Sequence, residues 1–202
     1  PNRAYWASQL AGAVPTLHLP VDHPRSAEPG LKGGAIRFTF DAALTTAVKA
    51  FARKTQVTLH ATLLTAFATL LFRLSGQEDV TIGTPVGHRP RAELEPLIGL
   101  FLNVLPIRVN CRAQVCVGEL CQEVQSTALE AFAHGELPFE QIVEVSGVRR
   151  ETAHAPLFQV MFVLQNAPKA SLMLPGVDIA PLEFRAASAK YDLTLALDES
   201  DD

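Results

Sequence analysis

The sequence predicts an α/β fold in which helices pack on a mixed β-sheet, and two observations support it. Segments whose apolar residues fall at every second position alternate along the chain with segments whose apolar residues recur every three or four positions. The chain has 202 residues, of which 48% are hydrophobic. It is therefore long enough to bury one core, and it fits a single domain or lobe.

The first 34 residues differ from the rest. Prolines and glycines crowd residues 11–34, which predicts an extended and irregular chain. We therefore divide the sequence into an irregular connector, residues 1–34, and a lobe, residues 35–202.

The lobe begins with three predicted elements. The alternation of Ile36, Phe38 and Phe40 predicts a half-buried strand. Asp41 then stands where the N-cap of a helix belongs. Residues 60–75 are apolar almost all round and precede Gly76, which predicts a central buried helix that ends at this glycine.

Two strands and a charged loop are predicted next. Residues 79–87 have the composition of a strand, and the loop from His88 to Pro96 is charged and bounded by prolines. Residues 102–109 form a second strand. Because proline cannot donate a hydrogen bond to a sheet, Pro106 within this strand predicts an edge position or a bulge.

The last third of the chain continues the alternation of helices and strands. Apolar spacing over residues 117–132 predicts an amphipathic helix, and Pro138 suits the first turn of a short helix. Residues 158–164 form a continuous apolar strand. Leu193, Leu195 and Leu197 alternate in a final strand.

Composition excludes several kinds of partner and site. The formal net charge is −4, with no dense stripe of Lys and Arg, so we exclude nucleic acid and expect no membrane binding. The longest apolar stretch, residues 59–72, is too short to span a bilayer. Cys111, Cys116 and Cys121 match no zinc or iron–sulfur spacing and predict reduced, packed thiols in a cytoplasmic protein without a metal site.

Asn103 is the most informative residue, since it places one amide side chain in the apolar run of residues 98–108. An unpaired amide there would cost about 1–3 kcal/mol, so Asn103 needs partners. This run and three other segments closely resemble, in order and separation, the later motifs of the condensation domain of nonribosomal peptide synthetases. The other segments are Tyr5-Trp6, residues 134–144 and residues 156–166.

The resemblance implies a fold and a reaction. The fold is a chloramphenicol-acetyltransferase-like sandwich lobe, and the parent is an amide-forming acyltransferase of antibiotic or other secondary-metabolite biosynthesis. It joins an acyl thioester donor to an amine acceptor, both tethered to carrier domains through phosphopantetheine. The implied partners are the first lobe of the domain, the donor and acceptor carrier domains and an adjacent adenylation domain, and we expect this chain to bind no cofactor by itself.

One motif of the family has no counterpart in this sequence. The family carries two adjacent histidines followed after three residues by Asp-Gly, whereas no two of the six histidines here are adjacent. The resemblance implies that this motif lies upstream of Tyr5-Trp6, in a first lobe that residues 1–34 connect to the second. It also implies that the chain is cut short after Asp202. We expect the isolated chain to be inactive.

The resemblance gives three candidate tunnel residues, Asn103, Gly99 and Arg89, and no catalytic residue on this chain. Asn103 either lines the tunnel between the lobes, where an amide orients a thioester carbonyl or the amine, or bonds nearby backbone at the entry of a strand. Arg89 and Arg91 either meet phosphopantetheine or carboxylates of the other lobe, or are solvated loop charges. We interpret His134 as structural.

Two alternative functions remain open. A condensation-like domain that has lost catalysis recruits a tailoring enzyme and acts as a scaffold. An epimerisation or heterocyclisation relative has the same fold, although residues 137–140 and 102–105 resemble ordinary condensation domains more closely. The paired-histidine motif upstream discriminates the enzyme from the scaffold.

Overall fold

The structure is a computed structural model that describes residues 1–23, 30, 32–87, 89, 91–148, 154–165, 177 and 188–199. Helices and strands alternate in these residues, as the sequence predicted. The helices are α1 (Asn2–Gln9), α2 (Ala42–Lys54), α3 (Leu59–Ser75), α4 (Val117–Ala133) and α5 (Phe139–Ser146), with a short 3-10 helix over Ala92–Leu94. The strands are β1 (Asp79–Gly87), β2 (Leu102–Asn110), β3 (Val160–Gln165) and β4 (Leu193–Asp198).

The four strands form one mixed sheet in the order β2-β1-β3-β4. β1 and β2 are antiparallel from Asp79 opposite Asn110 to Gly87 opposite Leu102, whereas β3 runs parallel to both β1 and β4. The prediction of a mixed sheet is confirmed. Pro106 lies on β2, an edge strand of this sheet, where a missing N–H donor is tolerated.

Helix α3 is central, as predicted. Its side chains Leu64, Phe67 and Leu71 are buried against the sheet core, although Leu70 and Leu74 are about half exposed. The signals at the helix ends act as expected: Asp41 Oδ1 accepts from Leu44 N at 2.7 Å at the start of α2, and Gly76 ends α3 with φ +71°.

The first residues of the chain are not irregular. Asn2–Gln9 form helix α1, whose Trp6 is buried and donates from Nε1 to the carbonyl of His134 at 3.0 Å. Helix α1 packs on α5. The prediction of irregular chain is therefore wrong for residues 2–9, because tertiary packing supplies what their weak apolar periodicity does not. The domain boundary at residue 34 stays a prediction.

Two glutamines fix the chain that follows α1. The Gln159 side chain accepts from Leu17 N at 2.8 Å and donates to Pro15 O at 2.9 Å. The Gln77 side chain accepts from His18 N at 2.6 Å and donates to Thr16 O at 3.0 Å. Each side-chain amide supplies one acceptor and one donor to the backbone, as a neighbouring strand would. Residues 15–18 are therefore held in place without secondary structure.

The strand predicted over residues 36–40 is absent. Ile36, Phe38 and Phe40 are 92%, 56% and 45% exposed and pair with no strand among the described residues. Alternation shows only that a segment suits a pleated surface, and a strand also needs a neighbour that accepts its hydrogen bonds. This prediction is wrong.

The middle of β1 depends on a glycine. A Cβ atom at Gly83 would lie 2.2 Å from Cε2 of Phe158, whose side chain is fully buried. Gly83 is also opposite Pro106 of β2 and Met161 of β3. The absence of a side chain at this position lets the Phe158 ring lie directly on the sheet.

The cysteines are only partly as predicted. Cys111 and Cys121 are buried free thiols, and burial raises the pKa of Cys111 to about 11. Cys116 is exposed at the start of α4, so the prediction that all three are packed is wrong for this residue.

Among the described residues, no single helix combines the length and apolar character needed to cross a membrane. Helices α2 and α3 meet those criteria only when taken together, and the pair is bent by 108°. Much of α3 is core.

Candidate functional site: a cleft at the start of strand β2

A cleft of about 750 Å³ opens where β2 begins. Three of the four segments that carry the resemblance meet there, although they are far apart in sequence. Asn103 represents the first, Phe139 the second and Phe158 the third. The lining residues are Leu100, Phe101, Leu102, Asn103, Val104, Gly135, Glu136, Pro138, Phe139, Glu140, Ala155, Pro156, Phe158, Lys190 and Tyr191.

The Asn103 amide is bonded on both sides. Its Nδ2 donates to the carbonyl oxygens of Gly135 and Leu137, each at 2.8 Å. Its Oδ1 accepts from Val104 N at 2.9 Å and Phe139 N at 3.2 Å. One side chain therefore joins the start of β2 to the connection between α4 and α5.

These hydrogen bonds match the structural alternative for Asn103, in which the side-chain amide pairs with nearby backbone groups. The same residue also lines the cleft, so the two alternatives are compatible in space. Contact between Asn103 and a substrate stays a prediction. Because the amide donates two hydrogen bonds and accepts two, it is held in one orientation, and the carbonyls beside it are already paired.

Arg89 is half-buried and engaged. Its Nη1 donates to the carbonyl of Leu94 and, at 2.9 Å each, to the carbonyls of Glu95 and Leu97. Its Cζ lies 4.3 Å from the centroid of the Phe101 ring. The description of Arg89 as a solvated loop charge is wrong. The neighbouring His88 and Pro90 lie outside the described residues.

Gly99 is exposed and, like Arg89, does not itself line this cleft, whereas the following residues Leu100 and Phe101 do. A Cβ atom there would meet Cε2 of Phe101 at 3.1 Å, so a larger residue would press on the ring. We call residues 97–102 the lip of the cleft. Leu97, Ile98, Leu100 and Leu102 on the lip are all exposed, Ile98 and Leu100 almost completely.

An aromatic row also lines the cleft. The rings of Phe139 and Phe158 have centroids 5.4 Å apart, and those of Phe158 and Tyr191 are 5.6 Å apart. Lys190 Nζ lies 5.4 Å from the Tyr191 ring. Sequence reasoning missed Phe101, Lys190 and Tyr191 as site residues, because apolar and aromatic spacing signals core and strand and does not indicate a cleft.

His134 has a structural role, as we interpreted it. Its Nδ1 lies 2.9 Å from Oδ1 of Asn2, and its ring stacks on Tyr5 with centroids 4.1 Å apart. Burial raises the pKa of Tyr5 to about 12, so its hydroxyl is neutral at physiological pH. Neither group lines the cleft.

A second, smaller cleft of about 270 Å³ contains His60. The His60 ring meets Phe162 and Phe132 edge to face, with centroids 5.3 Å and 5.9 Å away. Burial lowers the pKa of His60 below its ordinary value of 6.5. The cleft is lined mainly by α3 and α4.

Comparison with known proteins gives a consistent answer. The family described as "Condensation domain" matches residues 1–202. Malpinin synthetase of Mortierella alpina is 44% identical over 197 residues, which cover 98% of this chain and 2% of that protein. A linear gramicidin synthase polypeptide of Brevibacillus parabrevis is 42% identical over 199 residues, or 98% of this chain and 4% of that protein.

Solved structures agree. The X-domain from teicoplanin biosynthesis superposes with a TM-score of 0.90 at 25% identity, covering 100% of this chain and 45% of that chain. The chain thus spans under half of this structural neighbour and a few per cent of the curated relatives above.

Proposed function

This chain belongs to the Condensation domain family and has its chloramphenicol-acetyltransferase-like fold, and from that premise we propose that it forms one half of an amide-forming site. In the proposed reaction the amine nitrogen of an acceptor attacks the carbonyl carbon of a donor thioester. A C–N bond forms and the C–S bond breaks. The nitrogen loses a proton, and the donor carrier leaves as a thiol.

The observation that carries this proposal is the convergence of separate motif segments on one cleft. Asn103, Phe139 and Phe158 come from three of these segments and share its wall. This wall is rigid, because Asn103 bonds the α4–α5 connection, and it is aromatic, because the rings of Phe139 and Phe158 lie on it. Such a wall suits holding a tethered group in one position and keeping water away from a reactive thioester.

We propose that Asn103 lines the substrate tunnel, and that Gly99 and Arg89 shape it through their contacts with Phe101, which lines the cleft. Each occupies a different part: Asn103 the start of β2, Gly99 the lip and Arg89 the base of the lip. The chain has no pair of adjacent histidines. The proposed positioning histidine therefore comes from another part of the parent, and we expect no amide formation by this chain alone.

The proposed partners follow from the reaction. Donor and acceptor carrier domains deliver phosphopantetheine-tethered substrates, and an adenylation domain loads the acceptor carrier. We place the parent in the cytoplasm, where the activated substrates are made. The pathway is antibiotic or other secondary-metabolite biosynthesis.

The lip is the proposed contact with the first lobe. Leu97, Ile98, Leu100 and Leu102 make an exposed apolar segment beside the site. Contiguous apolar surface on a protein usually has a partner. We expect the chain to bind a separately produced first lobe, or to self-associate at high concentration. Sedimentation that shows a strict monomer without binding of the first lobe would contradict this.

A second candidate function is a non-catalytic scaffold. The observation that favours it is the close superposition on an X-domain, together with the solved complex of that X-domain with OxyB, which matches this chain with a TM-score of 0.83 at 25% identity. In this alternative the parent recruits a tailoring enzyme and forms no amide. An intact pair of histidines in the parent favours the enzyme, and its loss favours the scaffold.

The experiment uses the complete parent domain with its cognate loaded carriers and detects the condensed product by mass spectrometry. We expect Leu102→Asp, which places a charge on the cleft wall, to lower the condensation rate at least about tenfold with an unchanged melting temperature. Leu74→Asp, on α3 and half exposed, is the matched control and should have no effect. A parent that forms no product would overturn the proposed enzyme, as would full activity of Leu102→Asp.

A further inference from the structure

We propose that Arg89 is a positioning residue that sets the shape of the cleft lip. It acts through Phe101 and the turn of residues 94–97, and it touches no substrate. The inference rests on the proposed function for what the cleft holds. The organisation of the lip itself is a property of this chain.

The guanidinium organises a turn that has few bonds of its own. Residues 91–97 contain backbone bonds from Leu94 N to Arg91 O at 3.0 Å and from Leu97 N to Leu94 O at 3.2 Å. The carbonyls of Leu94, Glu95 and Leu97 converge on Arg89 Nη1. Three carbonyls that point to one place repel each other, and the shared positive charge removes that repulsion.

The face of the same guanidinium carries the ring of Phe101. The distance of 4.3 Å from Cζ to the ring centroid is that of a cation–π contact. Phe101 lines the cleft. A planar guanidinium can donate in its plane and stack on its face at the same time, which an ammonium cannot do. Arg89 therefore couples the position of the turn to the position of this ring.

This coupling explains why the lip stays outward. Ile98 is almost fully exposed and would gain free energy by folding back onto the aromatic residues of the cleft. The contacts of Arg89 fix Leu97 at one end of the lip and Phe101 near its other end. The lip is thereby kept open for the tethered group or for the first lobe.

The geometry argues against phosphate binding at Nη1 of Arg89. This nitrogen is engaged by carbonyls, and one face of the guanidinium is covered by Phe101, so an anion that bound at Nη1 would have to displace part of the lip. Arg91 is exposed and has no side-chain partner among the described residues, which leaves it available to an anion. The two arginines of this loop thus have different roles.

The test compares Arg89→Lys with Arg91→Lys in this chain, because both substitutions conserve charge. Hydrogen–deuterium exchange of the bonded amides of Leu94 and Leu97 should become about tenfold faster or more in Arg89→Lys, while the core and the melting temperature stay unchanged. Arg91→Lys should exchange at the wild-type rate. Wild-type exchange in Arg89→Lys overturns the proposal.

Phe101 supplies a second measurement. If the ring is a partner of the guanidinium, Arg89→Lys should accelerate exchange clearly less in a Phe101→Leu background than in the wild-type background. Equal acceleration in both backgrounds overturns the coupling between turn and ring.

In the complete parent, Arg89→Lys should raise the KM for the tethered substrates several-fold with a smaller change in kcat, because the lip is misplaced while the chemistry is intact. An unchanged KM overturns the role in the site. A wild-type parent that forms no amide would overturn the proposed function and leave the exchange result standing, so the two failures are distinguishable.

Discussion

The two ends of strand β2 are each fixed by one planar polar side chain, and these side chains differ in charge. At the start, the neutral amide of Asn103 bonds the backbone of the α4–α5 connection. Towards the end, the Arg108 guanidinium bonds both carboxylate oxygens of Asp79, at 2.9 and 2.8 Å. It also donates to the carbonyls of Gln9 and Ala11, just where α1 ends.

The two ends differ in how they are stabilised. The amide of Asn103 adds rigidity without adding net charge, although Glu136, Glu140 and Lys190 also line the cleft. At the other end of β2, the Arg108 cation is stabilised by Asp79 and by carbonyl groups at the C-terminus of α1.

Gly83→Ala is expected to weaken the attachments at both ends of β2 at once. It should therefore have the largest effect on stability. The new Cβ would lie 2.2 Å from a ring atom of Phe158, which is buried between Phe139 and Tyr191 and has no room to move. We expect a loss of about 3 kcal/mol or more in the free energy of unfolding, measured by urea denaturation. Loss of the cooperative transition would report that β1 and β3 have separated.

Gly87→Ala is the matched control for this substitution. Gly87 ends the same strand, and a Cβ atom there has nothing within 4 Å. We expect a change within about 0.5 kcal/mol. Equal effects of the two substitutions would show that backbone entropy, and not the contact with Phe158, decides the stability of β1.

Asn103→Ala tests the neutral end. It leaves two carbonyls and one N–H of the α4–α5 connection without their partner, so we expect a loss of about 2–4 kcal/mol in the free energy of unfolding. Asn110→Ala, at the exposed far end of the same strand, should change little. Assay of the folded fraction in the complete parent then shows whether Asn103 also contacts substrate: normal specific activity would exclude that role.

Local features of the fold were predictable because they depend on neighbouring residues. The N-cap Asp41, the left-handed Gly76 and the edge residue Pro106 act within a few positions of themselves, and each is confirmed. The predictions for residues 2–9, which form helix α1, and for the exposed segment 36–40 were wrong for the opposite reason. Whether such segments become helix or strand is decided by distant packing partners.

The candidate site shows the same limit. The need of Asn103 for partners follows from its apolar surroundings, but three of its four partners lie 32 to 36 positions away. Arg89 was harder still to predict. It bonds backbone carbonyls, which every residue has, so no residue type in the sequence marks the turn that it holds.

Arg108→Met tests the charged end and should have a smaller effect than Asn103→Ala. Arg108 and Asp79 are 25% and 23% exposed, so the pair is partly screened. The hydrogen bond to Asp79 raises the pKa of Arg108, which stays charged at every accessible pH. We expect a loss of about 1–3 kcal/mol that shrinks in high salt. Arg112→Met breaks an exposed pair with Glu123 and should cost less.

The smallest expected effect is a pH dependence that belongs to neither end of β2, and its removal sharpens the comparison. Burial lowers the pKa of His60 below 6.5, so below that pH the unfolded chain binds more protons at this residue than the folded chain does. The free energy of unfolding therefore falls as the pH drops below 6.5, and this contribution is fully present above it. His60→Phe keeps an aromatic ring against Phe132 and Phe162 and should flatten this part of the stability curve, measured by urea denaturation between about pH 5 and 8 in steps of about half a unit. With His60 replaced, Asn103→Ala and Arg108→Met can be compared across that range without the contribution of this buried histidine to the pH dependence. A slope that persists unchanged in His60→Phe would place the titrating group elsewhere in the chain.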